Sequence, residues 1–347
     1  MVIRWFSGMI DIAYFVISVI SGLNLMKIIS ANEIFEAAAC LAQGGLVAFP
    51  TETVYGLGTN AFDPVAVARI FETKQRPTFD PLIVHIADIK ELDSLFANPI
   101  DPLVYRLAEA FMPGPLTIVH RKAAKVPEIV TAGLENVAVR MPSNSVARKL
   151  IEAAKTPVAA PSANRFGQLS PTSYRHVIKQ NMNIDYLIAE DDNCSLVGIE
   201  STVVMVENGQ CAILRPGIIT ADDIMRKIPD IEVFIAKKNE KISSPGLLNS
   251  HYSPLKPLYF YNNEEKLPEN SALILHCKSE KKIIAKKLIY TSENGNLLEV
   301  AAHLFECLHT MEDDNEITQI FIAKVDETGI GLSIMDRLKK ATFQYRS

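Results

Sequence analysis

An α/β fold is what this sequence predicts: a mixed sheet with helices in a larger first domain, then a smaller α/β unit. Three observations carry that reading. Short apolar runs alternate with segments of helical periodicity through residues 27–235. Gly, Pro and an Asn-Gly pair punctuate those segments at the positions where a chain must turn. A polar, Ser- and Pro-containing stretch, residues 236–257, then separates off residues 258–347, where the alternation resumes.

Taken in order, Ile34, Phe35, Ala38 and Leu41 recur at helical spacing behind a Ser30/Asn32 cap region, and Gly44-Gly45 closes that helix. Leu46 to Phe49 is a short buried strand, leading into a hydroxyl-rich, glycine-containing loop, residues 50–58. Asp63 caps a helix over residues 64–73, with Pro64 in its first turn. Residues 82–86, 116–120, 136–140 and 158–160 read as strands, and 100–111 and 145–154 as helices. Residues 201–206 and 211–214 form a hairpin over Asn208-Gly209. Beyond the linker, 271–276 is strand, 281–290 helix or mixed, 297–311 helix and 319–323 strand. An amphipathic helix around residues 334–340 ends the unit.

The formal balance of −5 argues against charge-driven binding of nucleic acid by the whole chain and leaves room only for a local basic patch. The five cysteines, Cys40, Cys194, Cys211, Cys277 and Cys307, form no C-x-x-C pair and no zinc spacing. Reduced thiols in a cytoplasmic protein are the expectation. Residues 1–26 are expected to lie outside the fold, as an extension read from an upstream start codon. Their apolar run, Ile10 to Leu25, is short for a membrane span and carries Asp11, a costly charge at mid-bilayer. A membrane anchor is the alternative.

The candidate chemistry collects at strand ends. Phe49 to Gly58 packs two threonines, a tyrosine and two glycines directly after a strand, and Lys74 and Arg76 follow, two apart and before a proline. Hydroxyls, backbone donors and paired cations suit a phosphate-bearing ligand, with Arg76 supplying a fork. Neither G-x-x-x-x-G-K-[ST] nor G-x-G-x-x-G occurs, so a nucleotide would need another cradle. His85 ends an apolar strand, a place where a satisfied core histidine is the commoner outcome. Arg140 ends the strand Val137-Ala138-Val139 and needs an acidic partner, from substrate or protein. Ser162 and Asn164 follow the buried run 157–160, where they either hold a ligand or cap a turn. Ser201 opens a strand, and Arg215 closes the hairpin.

Pro50-Thr51-Glu52-Thr53-Val54-Tyr55-Gly56-Leu57-Gly58, Lys74-x-Arg76-Pro77, Pro81-Leu82-Ile83-Val84-His85, Met112-Pro113-Gly114-Pro115-Leu116-Thr117, Val139-Arg140-Met141-Pro142, Ser162-Ala163-Asn164, Glu200-Ser201-Thr202 and Arg215-Pro216-Gly217 stand in that order. Together they resemble the YrdC/Sua5 family. Ser244-Pro245-Gly246 with His251-Tyr252-Ser253-Pro254, and Gly329-Ile330-Gly331 with Ile334-Met335-Asp336-Arg337-Leu338, resemble its longer Sua5 form, so the likeness runs from about Met26 to the C-terminus. The resemblance implies a YrdC-like twisted sheet, parallel and antiparallel, with a Rossmann-like C-terminal domain. It implies L-threonylcarbamoyladenylate synthase activity: threonine, bicarbonate and ATP give threonylcarbamoyl-AMP and pyrophosphate, with Mg2+. The product feeds a downstream threonylcarbamoyl-transferase complex and the t6A modification of tRNA.

By the family's pattern, Lys74, Arg76, Ser162, Asn164, Ser170, Arg215 and Tyr252 contact ATP, with Lys74 and Arg76 catalytic. Thr53, His85, Arg140 and Ser201 hold threonine. The Tyr252-bearing linker is expected to be a lid over a carbamate that is fragile in open water. Two departures stand out. Leu247-Leu248-Asn249-Ser250 lacks the basic residue the family usually has before the His-Tyr pair. Asp80 replaces a common asparagine and is a metal-side candidate. Two rival readings remain: a double-stranded RNA- or tRNA-binding regulatory module on the same fold, and a related transfer enzyme for another amino acid. The second differs by as little as one methyl in the pocket, worth about 1–3 kcal/mol.

Overall fold

A computed structural model describes residues 26–190, 195–236, 251–262, 266–278 and 283–345. The N-terminal extension, Cys194 and linker residues 237–250, including the Leu247 to Ser250 departure, lie outside the described residues. Among the described residues no helix is long and apolar enough to cross a membrane.

The strands are β1 (Lys27–Ser30), β2 (Val47–Phe49), β3 (Gly56–Asn60), β4 (Ile83–His85), β5 (Leu116–Arg121), β6 (Asn136–Arg140), β7 (Val158–Ala159), β8 (Tyr186–Ala189), β9 (Thr202–Glu207), β10 (Gln210–Arg215), β11 (Val233–Ile235), β12 (Leu258–Phe260), β13 (Ser271–Leu275), β14 (Lys287–Tyr290) and β15 (Gln319–Ile322). The first eleven make one sheet in the order β1-β8-β2-β3-β7-β4-β6-β5-β9-β10-β11. Parallel and antiparallel neighbours mix: β4 runs parallel to β6 and antiparallel to β7, and β5 runs antiparallel to β6 and parallel to β9. The last four form a wholly parallel sheet, β12-β15-β13-β14.

Both faces of the large sheet are buried, which is why its strands read as apolar runs without clean alternation. In β2, Val47 and Phe49 pack with helices Ile34–Ala42 and Ser145–Ala154, while Ala48 enters the main core with helices Pro64–Lys74 and Pro102–Phe111. The expected Asp63 cap is in place and accepts hydrogen bonds from the amides of Val65 and Ala66. Asn144, not among the expected caps, caps helix Ser145–Ala154 in the same way, through the amides of Val146 and Ala147. Helix Pro64–Lys74 ends on Gln75 in the left-handed conformation, φ 53°, which redirects the chain so that Arg76 departs from the helix axis.

Two expectations change. Gly56 to Asn60 is strand β3, not loop, so the glycines are there for packing. A Cβ on Gly58 would lie 2.6 Å from Val158 Cγ1 and 2.7 Å from Phe49 Cε1. Residues 287–290, read as helix or mixed, are strand β14 beside β13. A second apolar core, built on helix Leu297–Asp313 and helix Ile330–Ala341, takes in Leu169, Ile199 and Tyr252 from earlier in the chain. The smaller unit therefore packs against the segments that carry the candidate site.

Candidate active site

The expected residues converge on one cavity of about 60 Å3 on the large sheet. Thr53, His85, Arg140 and Ser201, the four assigned to threonine, all line it, as do Arg76, Ser162, Arg215 and Tyr252 from the nucleotide set. Ile83 and His85 share one face of β4 and both line the cavity, while Val84 between them enters the opposite core. Parallel pairing of β4 with β6 sets His85 beside Arg140. Ser162 comes from the antiparallel neighbour β7, hence from the other end of the sheet. The central strands are only two or three residues long, so the two ends lie close enough to build one site.

On one side, Arg140 finds the acidic partner its position demanded. Its Nη2 lies 2.7 Å from Glu52 Oε1, its Nη1 donates to Thr53 Oγ1 at 2.9 Å, and its Nε donates to the Gly114 carbonyl at 3.3 Å. Burial pushes the Glu52 carboxyl up, but the charge and hydrogen bond of Arg140 outweigh it and hold it below the usual range. Thr51 and Thr53 share a hydroxyl hydrogen bond of 2.8 Å. Burial, with the Arg140 charge added, holds the His85 imidazole down to about 3, and its buried Nδ1 has no hydrogen-bond partner among the described residues. His85 is thus a neutral hydrogen-bonding group at any ordinary pH.

On the other side, Arg76 is ion-paired with Asp80 at 2.8 Å and donates to the carbonyls of Asp80 and Pro81. Among the described residues no group of three or more His, Cys, Asp or Glu side chains gathers to hold a metal. Arg215 donates to the Ser201 carbonyl at 2.9 and 3.2 Å and to the Ser201 hydroxyl at 3.2 Å. Ser201 Oγ in turn lies 2.7 Å from Thr117 Oγ1.

Three predicted residues stand behind the cavity wall. Lys74 is 1% exposed and donates to the carbonyls of Ser162, at 2.5 Å, and Asn164. Burial, with Arg76 nearby, brings its ammonium well below the ordinary lysine value. The Asn164 amide donates to the carbonyls of Arg165 and Gln168, and Ser170 donates to Glu200 Oε1 at 2.5 Å.

Residues 39–217 match the Sua5/YciO/YrdC family model, whose description reads "Telomere recombination". Residues 219–342 match the model for the C-terminal domain of threonylcarbamoyl-AMP synthase. The chain belongs to the Sua5/YciO/YrdC family. Over 338 residues it is 38% identical to the threonylcarbamoyl-AMP synthase of Pyrococcus abyssi, covering 92% of this chain and 97% of that one. It is 38% identical to the Bacillus subtilis enzyme of that name, covering 89% and 92%. The solved structure of P. abyssi Sua5 complexed with L-threonine superposes with a TM-score of 0.80 at 35% identity, over 92% of this chain and 97% of that one.

As a Sua5-type chain with both parts present, it brings residues to the site that the sequence reading quoted but gave no role. Glu52 and Glu200 are the clearest, both buried and ion-paired, Glu52 with Arg140 of the site and Glu200 with Arg337 of the C-terminal helix. The demand of Arg140 for an acid was the signal for Glu52. His251 and Tyr252 are buried on the cavity, Tyr252 in the left-handed conformation at φ 64°. The strap they belong to is tied down on both sides. Ser253 N donates to the Gly167 carbonyl, and Ser253 Oγ donates to the Ala341 carbonyl of the C-terminal helix.

Proposed function

We propose that this chain makes threonylcarbamoyl-AMP and pyrophosphate from L-threonine, bicarbonate and ATP, the first step of tRNA t6A modification. The observation that carries the reading is the charge pattern of the cavity. One side holds a matched Arg140–Glu52 pair with hydroxyls and a neutral imidazole, and the other holds Arg215 with no carboxylate ion-paired to it among the described residues. Threonine is a zwitterion with a hydroxyl, and a matched pair with hydroxyl and imidazole partners suits all three of its polar groups. ATP carries several negative charges, which unneutralised cations suit.

In this reading the α-carboxylate of threonine takes the Arg140 fork, beside Thr53, and its amine lies toward Glu52. His85 and Ser201 hold the remaining polar atoms. The ammonium of threonine gives up a proton to solvent, the freed amine nitrogen bonds to the carbon of bicarbonate, water leaves, and a carbamate results. A carbamate oxygen then attacks the α-phosphorus, and the bond to the pyrophosphate oxygen breaks. Such a step asks for positioning and charge neutralisation rather than a covalent protein intermediate. Arg215 and Arg76 face the phosphates. Lys74 shapes the Ser162/Asn164 loop that receives the nucleotide, through the two carbonyls it holds. Asp80, ion-paired with Arg76 and outside the cavity lining, is the carboxylate that would have to help hold Mg2+, which would supply further neutralisation of phosphate charge.

The cavity of about 60 Å3 admits a few waters and no nucleotide. We infer that the His251–Tyr252 strap lifts for ATP to enter and closes over the carbamate, shielding it from bulk water. Residues 27–235 are the catalytic domain in this account, with 236–257 as lid and 258–347 as the unit that anchors it. The proposed partners are a threonylcarbamoyl-transferase complex and tRNA, in the cytoplasm. The test is pyrophosphate release from ATP with threonine and bicarbonate supplied or withheld in turn. Release that ignores either one rejects the reading.

A further inference from the structure

The deepest polar contact between the two units lies directly behind the phosphate side of the cavity. Arg337, in helix Ile330–Ala341, is 0% exposed. Its Nε donates to Glu200 Oε2 at 3.0 Å, its Nη2 to the Glu200 carbonyl at 3.2 Å, and its Nη1 to the Pro216 carbonyl at 2.5 Å. Glu200 and Pro216 are the chain neighbours of Ser201 and Arg215. One guanidinium therefore grips both backbones whose next residues form the anion-facing wall. Ser333, one turn earlier on the same helix, donates to the Gly217 carbonyl at 2.6 Å. That backbone already runs so close that a Cβ on Gly217 would lie 2.3 Å from the Thr202 amide nitrogen.

The charges matter more than the grip. Among the described residues three guanidiniums line the cavity, and two are ion-paired with carboxylates, Arg76 with Asp80 and Arg140 with Glu52. The third, Arg215, is held by the carbonyl and hydroxyl of Ser201. A carboxylate stands next to it all the same: Glu200 lines the same cavity, and each of the two groups is within electrostatic range of the other. With Arg337 and Ser170 occupying its two oxygens, Glu200 is spoken for. Without Arg337, a buried carboxylate would be left with the other guanidinium within its electrostatic range among the described residues, Arg215.

Resting on the proposed reaction, we propose that Arg337 is a positioning residue for the phosphate side: by holding Glu200 it leaves the Arg215 guanidinium unneutralised for the polyphosphate of ATP. The smaller unit thus completes the catalytic domain electrostatically. Deleting it exposes Glu200 to Arg215 even where the lid is not concerned.

The test uses the full chain and reads ATP and threonine affinity separately by calorimetry. Arg337→Gln is expected to weaken ATP at least about tenfold and to change threonine affinity by less than about threefold. Glu200→Gln placed in the Arg337→Gln background removes the stray carboxylate and is expected to bring ATP affinity back within about threefold of wild type. A purely structural tie predicts no such recovery. Unchanged ATP affinity in Arg337→Gln, equal weakening of both ligands, or a folded double variant without recovery overturns the proposal. Should Arg337→Gln fail to fold, Arg337→Lys keeps the charge. ATP affinity within about threefold of wild type then supports the proposal, and a loss of about tenfold overturns it. A wild-type chain that binds ATP but releases no pyrophosphate with threonine and bicarbonate rejects the proposed reaction and leaves this inference to be decided by the affinities. A wild-type chain that does not bind ATP overturns both.

Discussion

The two sides of the cavity solve opposite electrostatic problems with the same residue type. Arg140, on the amino-acid side, is matched at 2.7 Å by Glu52, whereas Arg215, on the phosphate side, is held by a serine carbonyl and hydroxyl. A matched pair leaves little net field, which suits a ligand that carries both signs. An unmatched cation costs more to bury, and that cost is recovered only when a polyanion arrives. The difference teaches that counting arginines in this site says little. What decides each one's work is the acid the fold gives it or withholds.

The comparison breaks most visibly if the phosphate-side cations are removed. Arg215→Ala, and Lys74→Ala or Arg76→Ala, are expected to cost roughly 2–4 kcal/mol of transition-state stabilisation, about thirty- to a thousandfold in kcat/KM. Steady-state pyrophosphate release checks this, and for Arg215→Ala the loss should appear with ATP as the varied substrate. An equal rise in the KM for threonine would merge the two sides. On the amino-acid side, Arg140→Ala is expected to lose roughly 2–3 kcal/mol in threonine binding with ATP affinity nearly unchanged, measured by calorimetry. Tyr252→Ala in the full chain is expected to lower kcat by roughly 1–2 kcal/mol, about five- to thirtyfold, through a leakier closed state. Full activity in that variant would remove the strap from the mechanism.

A last contrast, read in stability rather than turnover, is between two neutral histidines, one on the site and one behind it. Burial holds both His85 and His309 down to about 3, and His309 Nε2 donates to the Ser170 carbonyl at 3.1 Å. Their unfolded forms take a proton near 6.5, so between that pH and about 3 the unfolded chain binds more protons than the folded one. Stability is then full above pH 6.5 and falls on acidification, by about 1.4 kcal/mol per pH unit for each group. Denaturant unfolding at pH 7 and pH 5 should show this fall, and His309→Gln should make it shallower by one group's worth. An unchanged slope in His309→Gln would mean that the imidazole is already protonated in the folded chain.

Where the pattern was clear, as at helix Ser145–Ala154 and strand Asn136–Arg140, the elements lie where the sequence placed them. Gly56 to Asn60 was harder. Glycine weakens any strand signal, and the reason for the glycines is the Phe49 ring and Val158, which only the folded sheet brings near. Lys287–Tyr290 was ambiguous because a short apolar run does not choose between helix and strand without its neighbour β13. The site was legible as a set of motifs, since several functional side chains, among them His85, Arg140 and Arg215, sit at strand ends. The charge partition was not. Glu200 and Arg337 are 137 positions apart, and nothing local in either motif says that one neutralises the other.

The central claim, a matched Arg140 for threonine and an unmatched Arg215 for ATP, is tested most directly by pyrophosphate release from ATP by the full chain. The assay is run with threonine, with serine and with no amino acid, each with and without bicarbonate. The account predicts release that needs both the amino acid and bicarbonate, with serine behind threonine by about 1–3 kcal/mol for the missing methyl. Pyrophosphate release without either, or tight binding of double-stranded RNA by a chain that releases none, would contradict it.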